Sequence, residues 1–292
     1  MNRLRSECMS CLVKNISDIP EQVSEPDRIS YMQQVFRILA DAPLSASAPE
    51  IVCEINRLKR ERLGIENEFA ELKQHFNEFV MRCKVPIRKK IHSAADPLLT
   101  AIQYALVGNY IDFGAMDHVD EQYLLDFLST ASNIQLDSAA YAHLQNELAK
   151  AKHLLFLTDN CGEIVLDKLL IEVLKTQYPA LSITVMVRGE PVLNDATMED
   201  AHQVGLNRIT PVIDNGNGIA GTCLDELSPQ GRDAVDKADL ILSKGQGNFE
   251  TLRGCGKNVF YLFLCKCDLF ARVFQVPKLT GMLVHDRHCT DL

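Results

Sequence analysis

The spacing of hydrophobic residues divides this chain into two regions of different texture. Up to residue 103, apolar positions recur every three or four residues, as in Ile51, Ile55 and Leu58, which is the period of an amphipathic helix. Gly64 is the only glycine in that stretch, and helix-forming residues dominate it. The pattern predicts a helical N-terminal domain or cap over residues 1–107.

From residue 153 onward, short apolar runs alternate with helical patterns. The runs are HLLFLT, LSITVMVRG, ADLILS and NVFYLFLC, and the first is followed by the helix-forming segment GEIVLDKLLIEVLKTQY. Strands that alternate with helices form a parallel sheet with helices on both faces. We therefore predict a three-layer α/β/α domain with a mostly parallel sheet over residues 108–292.

The composition and net charge limit the kinds of molecule that the chain is expected to bind. The chain has 292 residues, of which 47% are hydrophobic and 24% charged, as in ordinary globular proteins. A net charge of −9 argues against nucleic acid and anionic membranes as partners, although a local basic pocket would still accept a phosphorylated metabolite. The sequence does not indicate an oligomeric state.

The cellular compartment is predicted to be the cytoplasm. No apolar run approaches the ~18 residues of a membrane span, and the first residues lack the apolar stretch of a secretory signal. The ten cysteines are then expected to be thiols or metal ligands, because the cytoplasm is reducing.

Polar residues follow three of the predicted strands. Ligands of an open parallel sheet bind at the carboxyl ends of its strands, so these residues are expected to share one edge. They are Asp159, Asn160 and Glu163 after the first strand, Asn194 and Asp195 after the second, and Lys244, Gln246 and Asn248 after ADLILS.

The residue types at this edge suit a cation and a phosphate. Asp159, Asn160 and Asp195 offer hard oxygen ligands for Mg²⁺ or Mn²⁺, and Ni²⁺ or Co²⁺ would also be compatible. Lys244 brings a positive charge ahead of a glycine-rich turn whose N–H groups would cradle a phosphate. Taken singly, each group would also serve as a helix cap or a plain turn. Their joint occurrence favours a site.

Two further features leave alternatives open. Asn109 and Asp112 lie in GNYIDFG, which would form either a wall of the pocket or a domain junction with internally satisfied polar groups. Cys8 and Cys11 form a Cys-x-x-Cys pair, which indicates a soft-metal or redox site or two packed thiols.

The chain resembles the damage-control phosphatase family, in the prokaryotic branch that carries an N-terminal Cys-x-x-Cys. The resemblance rests on ordered motifs along most of the chain. After the cysteine pair they are GNYIDFG (108–114), DNCGEIVLD (159–167), VRGEPVLNDAT (187–197), ADLILSKGQGNFE (238–250) and LCKC (264–267).

The resemblance implies a function and roles for residues. It implies an α/β/α fold and phosphatase activity on small phosphometabolites, especially sugar phosphates. A divalent metal would be held by Asp159, Asn160 and Asp195, Lys244 would bind the phosphate, and Asn248 would line the pocket. In eukaryotic relatives, the acid of the first motif lies one position later than Glu163. Glu163 would orient the water in the hydrolysis that we predict.

Other functions remain open at this stage. Asp159 would be either an attacking nucleophile or only a metal ligand. A eukaryotic member of the family has been described as an S-adenosylmethionine-dependent carboxyl methyltransferase, so that activity is an alternative. A non-catalytic metal- or thiol-binding protein is another, but it leaves the convergence of Asp159, Asp195 and Lys244 unexplained.

Overall fold

The computed structural model describes residues 4–16, 19, 22–65, 69–114 and 119–289, apart from the side chains of residues 14–16. Helices dominate the described chain ahead of the first strand, as the sequence predicts for residues up to 107, and they continue beyond that residue. Their bounds are α1 Ser6–Ile16, α2 Glu25–Asp41, α3 Ala48–Leu63, α4 Ala70–Ser93, α5 Pro97–Gly108, α6 Glu121–Ser129 and α7 Ser138–Lys150. None of the described helices is both long and apolar enough to cross a membrane.

Helices α1 to α3 have a small core of their own. Helix α3 begins with a reciprocal capping box, in which Glu50 accepts hydrogen bonds from the backbone N–H (2.7 Å) and the hydroxyl (2.6 Å) of Ser47. It ends at Gly64, whose φ of 64° lies in the left-handed region that glycine favours. Between these signals, Ile51 and Ile55 pack against apolar residues of α1 and α2.

Helices α4 to α7 instead belong to the main core. Ile91 of α4, Leu106 of α5 and Leu144 of α7 are buried together with the apolar face of the helix that follows the first strand. The cores therefore separate between α3 and α4, earlier than the predicted domain boundary at 107/108. That boundary stays a prediction.

The rest of the chain forms a six-stranded, mostly parallel sheet. Its strands are β1 His153–Leu157, β2 Ser182–Val187, β3 Val212–Asp214, β4 Leu240–Lys244, β5 Val259–Leu264 and β6 Gly281–His285. Their order is β3-β2-β1-β4-β5-β6, and only β6 is antiparallel to its neighbour among these strands. Of the six, the sequence indicates β1, β2, β4 and β5, which are the long apolar runs.

Helices cover both faces of this sheet. Leu154 and Phe156 of β1 point into the larger core, whereas Leu155 and Leu157 point into a second core on the opposite face. The larger core includes α8 Glu163–Gln177 and α9 Met198–Gln203. The second includes α10 Pro229–Lys237, α11 Gln246–Leu252 and α12 Asp268–Phe274. The predicted α/β fold with a mostly parallel sheet is confirmed.

The strand order creates a crevice beside β1. The chain moves from β1 to β2 on one side, and later places β4 on the other side of β1. Ligands of open α/β sheets bind at such a reversal point, outside the carboxyl ends of the strands. Gly108, at the end of α5, lets this helix approach closely, because an added Cβ would lie 3.1 Å from Cα of Glu163. The residue after it, Asn109, therefore reaches the crevice.

Candidate active site

Backbone hydrogen bonds join the loops that follow β1 and β2. Asn160 and Asp195 form an isolated antiparallel bridge, and the N–H of Ala196 donates to the carbonyl of Asp159 (2.7 Å). This pairing brings the side chains of Asp159 and Asp195 together, where only 6% and 4% of these residues is exposed. The three residues that the sequence predicts as metal ligands thus lie together at the carboxyl edge of the sheet.

Two buried amides connect the acids that follow β1. The Nδ2 group of Asn109 donates to Asp159 (2.9 Å) and to Glu163 (3.0 Å). The Nδ2 group of Asn160 donates to the same two carboxylates, at 2.7 Å and 3.0 Å. Because each amide bridges both acids, Asp159 and Glu163 are held in a fixed relation to each other.

Gly245 allows the chain after β4 to lie against Asp159. An added Cβ at this position would lie 2.0 Å from Cγ of Asp159, and the φ of Gly245 is 82°. Any side chain would therefore collide with the carboxylate and would also be strained. The glycine that follows Lys244 is a requirement of the site.

Lys244 is completely buried and makes three hydrogen bonds. Its ammonium group donates to Glu163 (2.5 Å), Asp167 (2.6 Å) and the carbonyl of Ala105 (3.1 Å). These partners use its three N–H donors. Burial acts to lower the pKa of Lys244, but Asp167 and Glu163 outweigh it and raise that pKa. The phosphate role for Lys244 stays a prediction, and it requires exchange of one of these partners for phosphate.

Arg188, at the end of β2, is a site residue to which sequence reasoning assigned no role. Its Nε group donates to Asp195 (2.7 Å), its Nη1 group donates to Asn248 (3.2 Å), and its Nη2 group lies 3.5 Å from Asp159. The guanidinium therefore lies between the acids of two loops. An arginine directly after a buried strand, within a motif rich in polar residues, was the signal available in the sequence.

Asn248 joins this cluster through both ends of its amide. Its Nδ2 group donates to the carbonyls of Lys244 (2.7 Å) and Thr158 (3.0 Å), and its Oδ1 accepts from the hydroxyl of Thr222 (2.7 Å) as well as from Arg188. Asn248 thereby ties the start of α11 to β1 and holds the guanidinium. Direct contact with substrate stays a prediction for this residue.

Asn194 and Gln246 hold loops in place. Asn194 donates to the carbonyl of Ile111 (2.9 Å) and accepts from the N–H of Phe113 (3.1 Å). The Oε1 of Gln246 accepts from the backbone N–H groups of residues 266 (3.3 Å) and 267 (3.2 Å). Both side chains are bonded to backbone, and their predicted contacts with substrate stay predictions.

The loop of residues 109–114 has features of both predicted alternatives, and the contacts of Asn109 and Asp112 with substrate stay predictions. Lys266, after β5, donates to the carbonyl of Asn109 (2.6 Å) and forms an ion pair with Asp112. The Oδ1 of Asn109 accepts from the N–H of Leu264 (3.0 Å), while its Nδ2 faces Asp159. The polar groups are thus satisfied internally, as a junction requires, and one amide still reaches the acids of the site.

The charges at this edge do not balance. Among the described residues in direct contact here, five are acids and three are bases, namely Asp112, Asp159, Glu163, Asp167 and Asp195 with Arg188, Lys244 and Lys266. With all eight groups ionised, the excess of two negative charges equals the charge of one divalent cation. In the described ranges, no three His, Cys, Asp or Glu side chains form a metal-holding cluster. The predicted ligand set has only two acids and an amide, and both its oxygen chemistry and the excess charge fit Mg²⁺ or Mn²⁺.

Burial and crowding of the acids shift their pKa values upward. Burial, followed by the neighbouring Asp195 and Glu163, raises the pKa of Asp159 well above its ordinary value. Burial raises the pKa of Asp195 to about 6, although Arg188 opposes the shift. Burial also raises the pKa of Asp167 to about 7 against the opposing effect of Lys244. Burial is the largest cause of all three shifts, and neighbouring acids add to it.

The cysteines form no disulfide in the described part of the chain. Cys8 and Cys11 lie on α1, and the described residues contain no metal-holding cluster of three or more groups that would include them. Cys161 lies inside the site loop, where burial raises its thiol pKa. A role for the Cys8–Cys11 pair stays a prediction.

Comparison with known proteins identifies the family to which the chain belongs. The model of the damage-control phosphatase ARMT1-like domain matches residues 4–280. The chain belongs to this family. It is 35% identical over 275 residues to a protein named damage-control phosphatase from Archaeoglobus fulgidus, covering 91% of this chain and 93% of that protein. It is 29% identical to a protein of that name from Pyrococcus horikoshii, with 97% of each chain covered.

A solved structure supports the same family at the level of the fold. The crystal structure of a DUF89 family protein from Pyrococcus horikoshii has a TM-score of 0.81 and 28% identity to this chain, and covers 97% of this chain and 99% of its own. The resemblance to damage-control phosphatases that the motifs indicate is thereby confirmed. These relatives support phosphatase activity for the chain and favour it over the methyltransferase and non-catalytic alternatives.

Proposed function

We propose that this chain is a divalent-cation-dependent phosphatase that hydrolyses phosphomonoesters of small metabolites, such as sugar phosphates. The observation that carries the proposal is the charge excess at the carboxyl edge of the sheet, where five acids meet three bases. Asp159, Asn160 and Asp195 would hold the cation. When bound, it would supply Lewis-acid polarisation of the phosphoryl oxygens.

Arg188 is the group best placed to meet the phosphoryl group. Its Nη2 is buried and has no hydrogen-bond partner among the described residues, although it lies 3.5 Å from Asp159. A buried unpaired donor is costly, so it favours an acceptor from a ligand. The guanidinium would stabilise the charge that spreads over the phosphoryl oxygens as the ester bond breaks.

The amide and lysine side chains would keep the acids in position during hydrolysis. Asn109 and Asn160 each bridge Asp159 and Glu163, which fixes the carboxylate of Asp159 toward the crevice. Glu163 already accepts from Lys244 through Oε1 and from both amides through Oε2. Its predicted orientation of a water therefore requires one of these contacts to open. Asp159 would act either as nucleophile or as cation ligand.

The activity test is a panel of sugar phosphates and nucleotides, each assayed with several divalent cations for released phosphate. We expect turnover of small sugar phosphates with Mg²⁺ or Mn²⁺, and none after chelation. Turnover that is insensitive to chelators would contradict the role of the cation. Failure to release phosphate from any ester, with any cation, would contradict the proposed activity.

A second test does not depend on turnover. Mn²⁺ should raise the melting temperature of the wild type, because a ligand that binds the folded state stabilises it. The shift should disappear in Asp195→Asn. It should persist in Asp200→Asn, a matched control in which a buried acid paired with Lys73 (2.7 Å) is neutralised outside the site. An equal shift in all three proteins would place the cation elsewhere.

A further inference from the structure

The loop that joins β2 to Asp195 reaches from the active site to the helical cap. Arg188 and Asp195, at its two ends, are hydrogen-bonded at 2.7 Å, so the residues between them project outward from the site. At the far end of this loop, Glu190 forms an ion pair with Arg60 of α3 (3.3 Å). Val192 lies three residues from Asp195, and the reach of the chain keeps it within roughly 10 Å of that carboxylate.

Helix α3 contacts segments of the chain that follow two different strands of the sheet. Near its start, Pro49 lies 3.8 Å from the place of an added Cβ on Gly247, in α11. Arg60, near its other end, meets the loop after β2. Pro49, Asn56 and Arg60 fall on one helical face at spacings of seven and four residues. The opposite face, with Ile51 and Ile55, packs on α1 and α2.

A cleft lies where α3 meets this loop, and its lining is asymmetric. Helix α3 contributes an amide and two basic side chains, and the loop contributes apolar residues and backbone. The residues concerned are Asn56, Lys59 and Arg60 of α3 and Pro191, Val192 and Leu193 of the loop, and the apolar Ile65 and Phe69 complete the lining. Two positive charges facing one cleft contrast with the net charge of −9 of the whole chain. A basic cleft on an acidic protein favours an anion.

We propose that this cleft binds a second anionic group of the substrate, a carboxylate or a second phosphate, at the end remote from the phosphoryl group that is hydrolysed. The inference rests on the proposed phosphatase function and specifies its substrate class. The N–H of Asp195 donates to the carbonyl of Val192 (3.0 Å), so the cleft that Val192 lines lies close enough to the acids for one open-chain sugar phosphate to contact both. Arg60 supplies a planar fork that suits either anion, and Glu190 holds it until the substrate displaces the ion pair.

The experiment compares three open-chain substrates that share one phosphoryl group. They are a phosphorylated sugar alcohol, the matching phosphorylated sugar acid, and the matching sugar alcohol bisphosphate. We expect a lower KM for at least one of the doubly anionic substrates. Arg60→Ala should raise that KM by about tenfold, the scale of one charge-assisted hydrogen bond, with kcat and the neutral substrate unaffected. Lys59→Ala should act in the same direction.

Two variants sharpen the test. Glu190→Gln removes the competitor for Arg60, so it should lower the KM of the doubly anionic substrates by about twofold to threefold. Arg57→Ala removes the same charge from an exposed position of α3 that does not line the cleft, so it should change nothing. Equal effects of Arg57→Ala and Arg60→Ala would show that only the overall charge of the protein affects KM, and would overturn the proposal.

Failure of this inference is distinguishable from failure of the proposed function. If the KM for phosphate release depends neither on the second anion nor on Arg60→Ala, the inference alone is overturned. If no substrate is hydrolysed, calorimetric binding of the phosphorylated sugar acid to the wild type and to Arg60→Ala still decides it. We expect weaker binding to the variant, and equal binding would overturn the proposal.

Discussion

The chain buries acids at two places along the same sheet, and their partners differ. Directly after β6, the outermost strand on one side of the sheet, Asp286 accepts from the N–H groups of Gly254 (2.8 Å) and Gly256 (3.3 Å) and from the hydroxyl of Tyr261 (2.8 Å). At the carboxyl edge, Asp159 also accepts from two neutral amides, but it faces Asp195 and Glu163 as well, which raise its pKa beyond the effect of burial. Neutral donors bind both oxygens of the first acid, whereas the second group of acids repel one another.

This difference distinguishes an acid that stabilises the fold from acids that are retained for chemistry. A buried acid satisfied by neutral donors stabilises the fold through those hydrogen bonds, so its neutralisation is costly. Crowded acids with excess charge destabilise the fold, and such arrangements are retained where chemistry needs them. The damage-control phosphatase family membership agrees with this distinction, because a phosphatase needs a charged site.

The largest expected effect comes from neutralising one acid at each place. Asp159→Asn should lower kcat/KM by on the order of 1000-fold, at the upper end for one electrostatic group. It should leave the stability of the metal-free protein unchanged or raised, because it removes a repelled charge. Phosphate release and chemical denaturation on one preparation measure both.

Asp286→Asn is the opposite case and serves as the matched control. It places an amide N–H against the donors of Gly254, Gly256 or Tyr261, so the unfolding free energy should fall by about 1–3 kcal/mol. The kcat/KM of the folded fraction should equal that of the wild type. A loss of stability in Asp159→Asn as large as that in Asp286→Asn would contradict the distinction between the two groups of acids.

A second expected effect concerns the lysine at the carboxyl edge. Lys244→Met leaves Glu163 and Asp167 buried without their cation, so the unfolding free energy should fall by about 3–5 kcal/mol. Adding Asp167→Leu should recover part of that loss, because it removes one of the two uncompensated charges. Chemical denaturation of the single and double variants measures the coupling. Additive losses would show that Lys244 and Asp167 do not act as a pair.

Sequence reasoning predicts that Lys244 binds the phosphate. Its complete burial between two acids adds an effect on stability that the sequence did not indicate. A strand-end position in the sequence indicates the edge on which a residue lies. It does not indicate whether its side chain turns to the crevice or back to α8, because the pairing with Asp167 depends on packing between distant segments.

The same limit explains what else the sequence did and did not indicate. Long apolar runs marked β1, β2, β4 and β5, and the polar residues after them marked the site edge. Strand β3 spans only Val212–Asp214, and β6 pairs antiparallel at the sheet edge, so neither has a long apolar run. Arg188 acts through contacts with Asp159, Asp195 and Asn248, which follow three different strands, and no local pattern encodes such contacts.

The smallest expected effect is on how stability depends on pH, and it concerns His285 at the end of β6. Burial, with His143 next, lowers the pKa of His285 to about 4, and the histidine lies 2.9 Å from Oδ1 of Asn258. The unfolded chain binds this proton near pH 6.5, so His285 lowers stability as pH falls from 6.5 toward 4. Above pH 6.5 it has no such effect.

His285→Phe should therefore reduce the loss of stability between pH 7.5 and pH 5. Chemical denaturation of both proteins at the two pH values measures the difference. Because this histidine lies away from the crowded acids, phosphate release at pH 7.5 should be unaltered. A variant that retains the full acid sensitivity of the wild type would show that other groups carry it.

The central claim is that the excess negative charge beside β1 is a divalent-cation site. The most direct measurement is anomalous diffraction from crystals of the wild type soaked in Mn²⁺. The account predicts one strong anomalous peak within about 2.0–2.6 Å of oxygens from Asp159, Asn160 and Asp195. A peak among cysteines instead, or no peak while these three side chains keep their present hydrogen bonds, would contradict it.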